Sequence, residues 1–134
     1  MYLGILENKN KELFLNLAYN LALSDGDYSE DEEMMIKSYC NEMQIELDMK
    51  NINRSIDSII KEMSEECNIR DKKIIAFESI GLAMSDGCYC EKEIKVIESM
   101  ILKFDLSREF VNKCEEIINE YINFQYKINT LVLD

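Results

Sequence analysis

The sequence predicts an all-α protein, and three observations support that prediction. The 134 residues include no proline and only four glycines, so few positions interrupt helices. Apolar residues recur at helical spacing along most of the chain. A helix-ending segment also occurs twice. Because 47% of the residues are apolar, the chain can bury a genuine core, and we expect one domain, residues 1–134, of about six or seven helices.

The repeated segment defines the expected organisation of that domain. Residues 21–32 return 61 residues later as residues 82–93, with eight of twelve positions identical. Two copies are too few for a solenoid, which needs at least three stacked units. We therefore predict a closed, pseudo-two-fold domain built from two helix–turn–helix repeats, about residues 9–63 and 69–128.

The first repeat is predicted to hold three helices. Apolar residues at the i, i+3, i+4, i+7 spacing of a helix predict a first helix over about residues 9–24: Phe14, Leu17, Ala18 and Leu21. Gly26 is expected to end this helix. The second helix is expected over residues 30–43. A third follows, with Asp48 as a plausible N-cap and with an apolar stripe at Ile52, Ile56, Ile59, Ile60 and Met63.

The second repeat is predicted to follow the same plan. The polar stretch 64–68 is the expected joint, and Asn68 with Asp71 opens a fourth helix that runs to about Ser85. A fifth helix is expected over residues 91–104. Ser107 caps a sixth, whose apolar side chains share one face: Phe110, Cys114, Ile117, Tyr121, Phe124 and Ile128. The apolar tail 130–134 is expected either to pack back on the domain or to form a dimer contact.

Composition excludes several classes of function. A net charge of −12 repels nucleic acid and anionic membranes, and it attracts cations or basic protein surfaces. No apolar run reaches the ~18 residues of a membrane span, and no secretory leader is recognisable. An odd number of cysteines, five, then predicts reduced thiols and a cytoplasmic location. Without histidine or a glycine-rich phosphate loop, the chain is predicted not to be an enzyme.

The duplicated turn admits two interpretations. In the structural one, Ser29 caps the second helix and Glu32 completes a capping box. In the second copy the cap position is Cys90, a poor N-cap, yet the matching glutamate, Glu93, is still present. In the functional interpretation, Asp25 with Glu32, and Asp86 with Glu93, bind a divalent cation. Carboxylate oxygens favour calcium or magnesium over zinc.

Two further features bear on metal binding and redox chemistry. Glu78 has no basic partner on its own helix, so it must meet a lysine, arginine, hydroxyl or cation from elsewhere, or else face solvent. The pair Cys88 and Cys90 is best interpreted as small turn residues, because a zinc site usually needs four ligands and histidine is absent.

The duplicated turns also carry a resemblance to a known family. An apolar helix that ends in Ala-x-Ser-Asp-Gly, followed by an acidic turn with a glutamate seven residues after the aspartate, occurs twice. This arrangement resembles the TerB family, named for tellurite resistance, and the similar N-terminal domain of the DjlA co-chaperone. The resemblance covers roughly residues 10–125.

The resemblance implies an all-helical, non-catalytic module of stress-response assemblies. It also implies metal ligands at Asp25, Glu32, Asp86 and Glu93, and it adds Glu78, which matches a glutamate of relatives. The first copy departs from the pattern because Leu17 takes the place of Glu78. We therefore expect a cytoplasmic stress-response module that binds a divalent cation and docks a protein partner. The alternative is an interaction domain with an acidic face and no metal.

Overall fold

A computed structural model describes residues 1–24, 30–47, 54–85 and 91–134 of the chain. The regular secondary structure within these ranges is entirely helical, which confirms the predicted all-α class. A short 3-10 turn, Leu3–Ile5, precedes six helices: α1 (Asn8–Ser24), α2 (Glu30–Met43), α3 (Ile56–Glu66), α4 (Ile69–Ser85), α5 (Glu91–Lys103) and α6 (Arg108–Leu133). None of the helices described combines the length and the hydrophobicity that crossing a bilayer requires.

Contacts divide the chain into two compact units, Met1–Glu78 and Ser79–Asp134, with the boundary inside α4. In the first unit α1 contacts both α2 and α3, and the 3-10 turn contacts α2. The rings of Phe14 and Tyr39 meet edge to face, with centroids 5.2 Å apart. Fully buried side chains fill this unit: Leu3, Leu15, Leu17, Ile59, Ile60, Met63 and Ile75.

The second unit has a smaller core drawn from the end of α4, from α5 and from the first half of α6. Its buried side chains are Ile80, Ala83, Ile97, Met100, Phe104, Val111, Cys114 and Ile118. Gly81 of α4 faces α6, and a Cβ at this position would make an ordinary contact, 3.7 Å, with Cδ1 of Ile118. The prediction that residues 1–134 form one domain remains a prediction.

The start of α3 corrects the sequence analysis. The helix begins at Ile56, and the cap is Ser55, whose hydroxyl accepts a hydrogen bond from the Ser58 amide at 3.1 Å. The prediction that Asp48 caps this helix is wrong, because the helix starts eight residues later; Asp48 itself lies outside the described residues. At α6 the predicted cap is confirmed, since the Ser107 hydroxyl accepts from the Phe110 amide at 3.1 Å.

The helix bounds keep the 61-residue spacing of the repeated segment. α1 and α4 are both 17 residues long and begin at Asn8 and Ile69, while α2 and α5 begin at Glu30 and Glu91. These bounds match the predicted ones to within a residue. The proposed stop at Gly26 and the caps at residues 29 and 90 lie outside the described residues. The pseudo-two-fold relation itself remains a prediction.

The ends of α2 and α5 repeat one hydrogen-bond pattern at the same spacing. Gln44 and Asp105 both adopt left-handed backbone angles, with φ of 54° and 55°. The next amide in each copy reaches back across the last turn: Ile45 to the Cys40 carbonyl and Leu106 to the Ile101 carbonyl, each at 3.1 Å. This is the Schellman motif, which satisfies carbonyls that a helix end would otherwise leave exposed.

The predicted apolar stripe of α6 is buried only in the first half of the helix. The helix continues through the tail to Leu133, but side chains after Ile118 are exposed except for the half-buried Ile122. Phe124 is 61% exposed and Leu131 is 84% exposed. The stripe is therefore correct as a helical pattern, but only its first part contributes to the core.

Candidate functional site

Glu32 and Glu93 occupy the same place in their helices. Each is the third residue of its helix, in α2 and α5 respectively, and each is half-buried. In both side chains the Oε2 atom is shielded from solvent and accepts no hydrogen bond from the described residues, although each residue takes part in a further interaction. A carboxylate in the first turn also lies at the positive end of the helix dipole.

The other predicted ligands of the acidic turns, Asp25 and Asp86, lie outside the described residues. Within the described ranges, no three or more acidic or cysteine side chains come close enough together to hold a metal ion. The described ligands Glu32, Glu78 and Glu93 therefore do not form a metal centre among themselves.

Glu78 holds the N-terminus of the chain. Its Oε1 atom lies 2.8 Å from the Met1 ammonium nitrogen and accepts a hydrogen bond from the Tyr2 amide at 2.7 Å. Glu42, on α2, binds the same ammonium through Oε2 at 3.0 Å and accepts from the Leu3 amide at 2.9 Å. The Glu78 side chain, which is only 13% exposed, thus meets a cation from elsewhere in the chain, one of the outcomes expected for it.

The two glutamates change the acidity of the terminal ammonium. Burial alone would lower its pKa, but hydrogen bonds and charge attraction from Glu78 and Glu42 outweigh burial, and the pKa rises above its ordinary value of 8.0. The close approach of the terminal segment to α2 favours glycine at position 4, because a Cβ there would make a tight contact, 3.3 Å, with the Glu42 carbonyl oxygen. This site therefore binds one amine through two carboxylates.

A second carboxylate centre joins the first turns of α1 and α4. Asp71, which is fully buried, accepts hydrogen bonds at Oδ2 from the Asn10 side chain at 2.8 Å and from the Glu7 amide at 3.1 Å. Arg70 donates to Oδ1 at 3.0 Å and also to the Ile5 carbonyl at 2.9 Å. The expected opening of α4 is confirmed, since Asn68 accepts from the Asp71 amide at 2.8 Å.

Its hydrogen bonds keep Asp71 ionised. Burial would raise the pKa of this carboxyl, but the bonds from Asn10, the Glu7 amide and Arg70 lower it below its ordinary value of 3.8. Asn10, Glu42 and Arg70 were not among the predicted site residues. The repeat spacing could have indicated Asn10 as a site residue. Asn10 and Asp71 are 61 residues apart, so they occupy equivalent positions of the two sequence repeats.

The described cysteines are packing residues rather than nucleophiles. Burial raises the pKa of the Cys67 thiol to about 11, with the Asp71 charge adding to the effect. Burial also raises the pKa of Cys114 and Cys40. Thiols with raised pKa values stay protonated near neutral pH and react slowly. The interpretation of Cys88 and Cys90 as turn residues falls outside the described residues.

Comparisons of this chain with protein-family models, with curated proteins and with solved structures find no match.

Proposed function

We propose that this protein is a non-catalytic binding module whose two acidic turns each bind a divalent cation, and that it docks a protein partner. The observation that supports the proposal best is the equivalent placement of Glu32 and Glu93. Both are half-buried at the third position of helices that begin 61 residues apart. Each follows a copy of the Asp-Gly turn in the sequence, which contributes Asp25 or Asp86.

The chemistry of these side chains suits hard cations. Calcium and magnesium are bound by carboxylate and carbonyl oxygens, at about 2.0–2.6 Å, and need neither histidine nor thiolate. In each turn, an aspartate and a glutamate seven residues later could supply two carboxylates, and turn carbonyls and water could complete the shell. The net charge of −12 adds a long-range attraction for cations. Glu78 is the exception among the proposed ligands, because it binds the terminal ammonium.

Titration calorimetry with calcium, magnesium, manganese and zinc tests this proposal. Wild-type protein is expected to release or absorb heat with calcium or magnesium and to fit two sites. Asp25→Asn and Asp86→Asn should each remove one site, because each takes a charged ligand from one turn. The double variant should show no binding. If wild-type protein gives neither heat nor a thermal shift with any of the four ions, cation binding is excluded.

A matched control separates binding from folding. Asp57→Asn removes the same charge from the exposed first turn of α3, outside both copies of the repeated segment in the sequence. It should leave the stoichiometry and affinity for the cation unchanged. Loss of cation binding in this control as well would mean that net charge alone produces the signal.

The second candidate function is an interaction domain without metal, in which the turns only cap helices. It is favoured by the structural use of Glu78, which binds the terminal ammonium rather than a metal ion. In this case the acidic surface would meet a basic protein partner, and Glu32→Gln would cost a modest amount of stability with no change in metal response. Salt-sensitive binding of a basic partner together with a flat calorimetric titration would favour it.

The TerB-type role in stress response, with a cytoplasmic location, belongs to the same proposal. It is supported by the duplicated Asp-Gly-x-Tyr-x-Glu-x-Glu segment and by the all-helical fold. Fold and motif alone do not transfer a phenotype. Deletion of the gene in its host, followed by growth on tellurite and under other stresses, tests this part separately from cation binding.

A further inference from the structure

The C-terminal half of α6 exposes a long apolar surface. Beyond Ile118, the described side chains of this helix are exposed apart from the half-buried Ile122. Large apolar residues dominate the segment, and seven of them are each at least 43% exposed: Tyr121, Phe124, Tyr126, Ile128, Leu131, Val132 and Leu133. Helices of this length gain most of their stability from packing an apolar face, so a covering surface is expected.

The spacing of the exposed residues indicates what kind of surface covers them. Five of them are separated by four and three residues in turn: Ile117, Tyr121, Phe124, Ile128 and Leu131. This is the heptad spacing of the positions that face a partner helix in a coiled coil. The Gln125 side chain donates to the Tyr121 hydroxyl at 2.8 Å, one turn away on the same helix. This stripe is therefore shaped to pack along a second helix.

We propose that the occupant is α6 of a second copy of this chain, packed antiparallel to the first about a two-fold axis. With the axis between Ile122 and Asn123, Tyr121 of one copy lies level with Phe124 of the other, and Ile117 lies level with Ile128. A two-fold interface is self-complementary, so each contact occurs twice. The four apolar layers formed in this way cover the centre of the exposed stripe.

The charged residues beside the stripe select this alignment. Four charged residues share the heptad position that flanks the apolar stripe, where charges on neighbouring helices of a coiled coil meet: Lys113, Glu120, Lys127 and Asp134. In the proposed alignment Glu120 faces Lys127 of the second copy, and Lys113 faces Asp134. Every flanking pair is then of opposite charge.

Other alignments of the same two helices lack this complementarity. Shifting the antiparallel pair by one heptad towards the C-terminus places Lys127 against Lys127 and Glu120 against Asp134. The shift in the other direction places Glu120 against Glu120 and Lys113 against Lys127. A parallel pair in register sets these charges against uncharged residues, such as Gln125 and Val132. Only the alignment centred between residues 122 and 123 pairs all four charges favourably.

Sedimentation equilibrium of the full chain tests the proposal. Wild-type protein is expected to change from monomer to dimer between about 1 and 300 µM, a range that brackets the affinity of a modest interface. Phe124→Glu should weaken dimerisation at least about tenfold, because it places a charge in the central layer. Asn119→Glu adds the same charge at an exposed position on the opposite face of α6 and should leave the dimer unchanged. Circular dichroism of both variants should still show a folded, helical protein.

A charge exchange tests the alignment itself. Glu120→Lys and Lys127→Glu should each weaken the dimer several-fold, because each creates two like-charged pairs. The combined variant restores both opposite-charge pairs and should return the dissociation constant to within about twofold of wild type. A monomer at all concentrations overturns the proposal. So does a combined variant that is no tighter than the single variants, because the pairing would then be parallel or in another register.

Discussion

The buried carboxylate of Asp71 links the N-terminal turns of two helices. It accepts from Asn10, from the Glu7 amide and from Arg70, while the Asp71 amide binds Asn68. A buried charge of this kind is costly unless its hydrogen bonds are complete. Losing the charge should therefore weaken the first unit of the fold rather than any binding function.

Replacing Asp71 with asparagine tests that assignment. Asp71→Asn should lower the free energy of unfolding by about 2–4 kcal/mol, because the charge-assisted bonds from Arg70 and the Glu7 amide are weakened or lost. Urea unfolding followed by circular dichroism measures the change. Asp57→Asn, at an exposed first-turn position of α3, should cost less than about 0.5 kcal/mol. Equal costs for the two variants would contradict the assigned role.

The lowered pKa of Asp71 gives this contribution a defined pH window. Since the folded carboxyl titrates below its ordinary value of 3.8, its stabilising effect is present above about pH 4 and is lost as pH falls through the folded pKa. Wild-type stability should therefore fall more steeply than that of Asp71→Asn below pH 4. Parallel pH profiles of the two proteins would contradict a lowered pKa.

Glu78 stabilises the fold by binding the terminal ammonium and the Tyr2 amide. Glu78→Gln should reduce the free energy of unfolding at pH 7 by about 1 kcal/mol, a value that allows for solvent screening of the exposed terminus. The raised pKa of the ammonium means that this effect is complete below pH 8.0 and lost as pH rises through the folded pKa.

Unfolding measured at pH 7 and again near pH 10 checks this expectation. The difference between wild type and Glu78→Gln should shrink at the higher pH, because the terminal amine loses its charge as pH rises through its folded pKa. Glu65→Gln, a charge removal at an exposed position of α3, serves as the control and should show little effect at either pH. A difference that persists unchanged at pH 10 would argue against the ammonium as the partner of Glu78.

At the ends of α2 and α5, the same local geometry is built from different residues. Gln44 and Asp105 both carry side chains in left-handed backbone conformations, which glycine adopts without steric cost. Gln44→Gly and Asp105→Gly should each raise the free energy of unfolding by about 0.5–1 kcal/mol. The two gains should add, because the residues lie in separate units.

Thermal and urea unfolding of the single and double variants measure these gains. Asn41→Gly is the matched control, because it places glycine in the last turn of α2 and should lower stability by about 0.3 kcal/mol, the difference between asparagine and glycine in helix propensity. If Gln44→Gly and Asp105→Gly both lower stability instead, the two side chains contribute more than the backbone strain costs.

Most helix bounds could be predicted because the signals that set them are local. Apolar spacing and a serine cap indicate the course of α6, and the repeated segment marks the ends of α1 and α4 and the starts of α2 and α5. The predicted start of α3 is wrong because two good N-cap residues, Asp48 and Ser55, precede most of its isoleucine stripe. The first residue of the stripe, Ile52, lies between them, so the apolar pattern does not show which of them caps the helix. Which of them is used depends on tertiary packing.

The carboxylate sites were less predictable because their partners are distant in sequence. Glu78 meets Tyr2 across 76 residues, and Asp71 meets Glu7 across 64. Glu78 was predicted to meet a partner from elsewhere or to face solvent, but the sequence does not identify the terminal ammonium as that partner. Similarly, the stripe on α6 predicted a helix, but its spacing alone does not say whether the core or a second chain covers it.

For the whole molecule, the two acidic turns are the feature from which a binding function is proposed. Their sequences repeat, and the helices that follow them begin at matching positions with half-buried Glu32 and Glu93. A strongly negative molecule should respond to cations in any case. Only site-specific binding therefore distinguishes a metal module from a general acidic surface.

The most direct measurement is a crystal structure of the protein grown with calcium, with an anomalous difference map to locate the ions. The account predicts one peak at each turn, about 2.3–2.6 Å from carboxylate oxygens of Asp25 and Glu32 in one copy and of Asp86 and Glu93 in the other. A map with neither peak, or with ions only at scattered surface carboxylates, would contradict it.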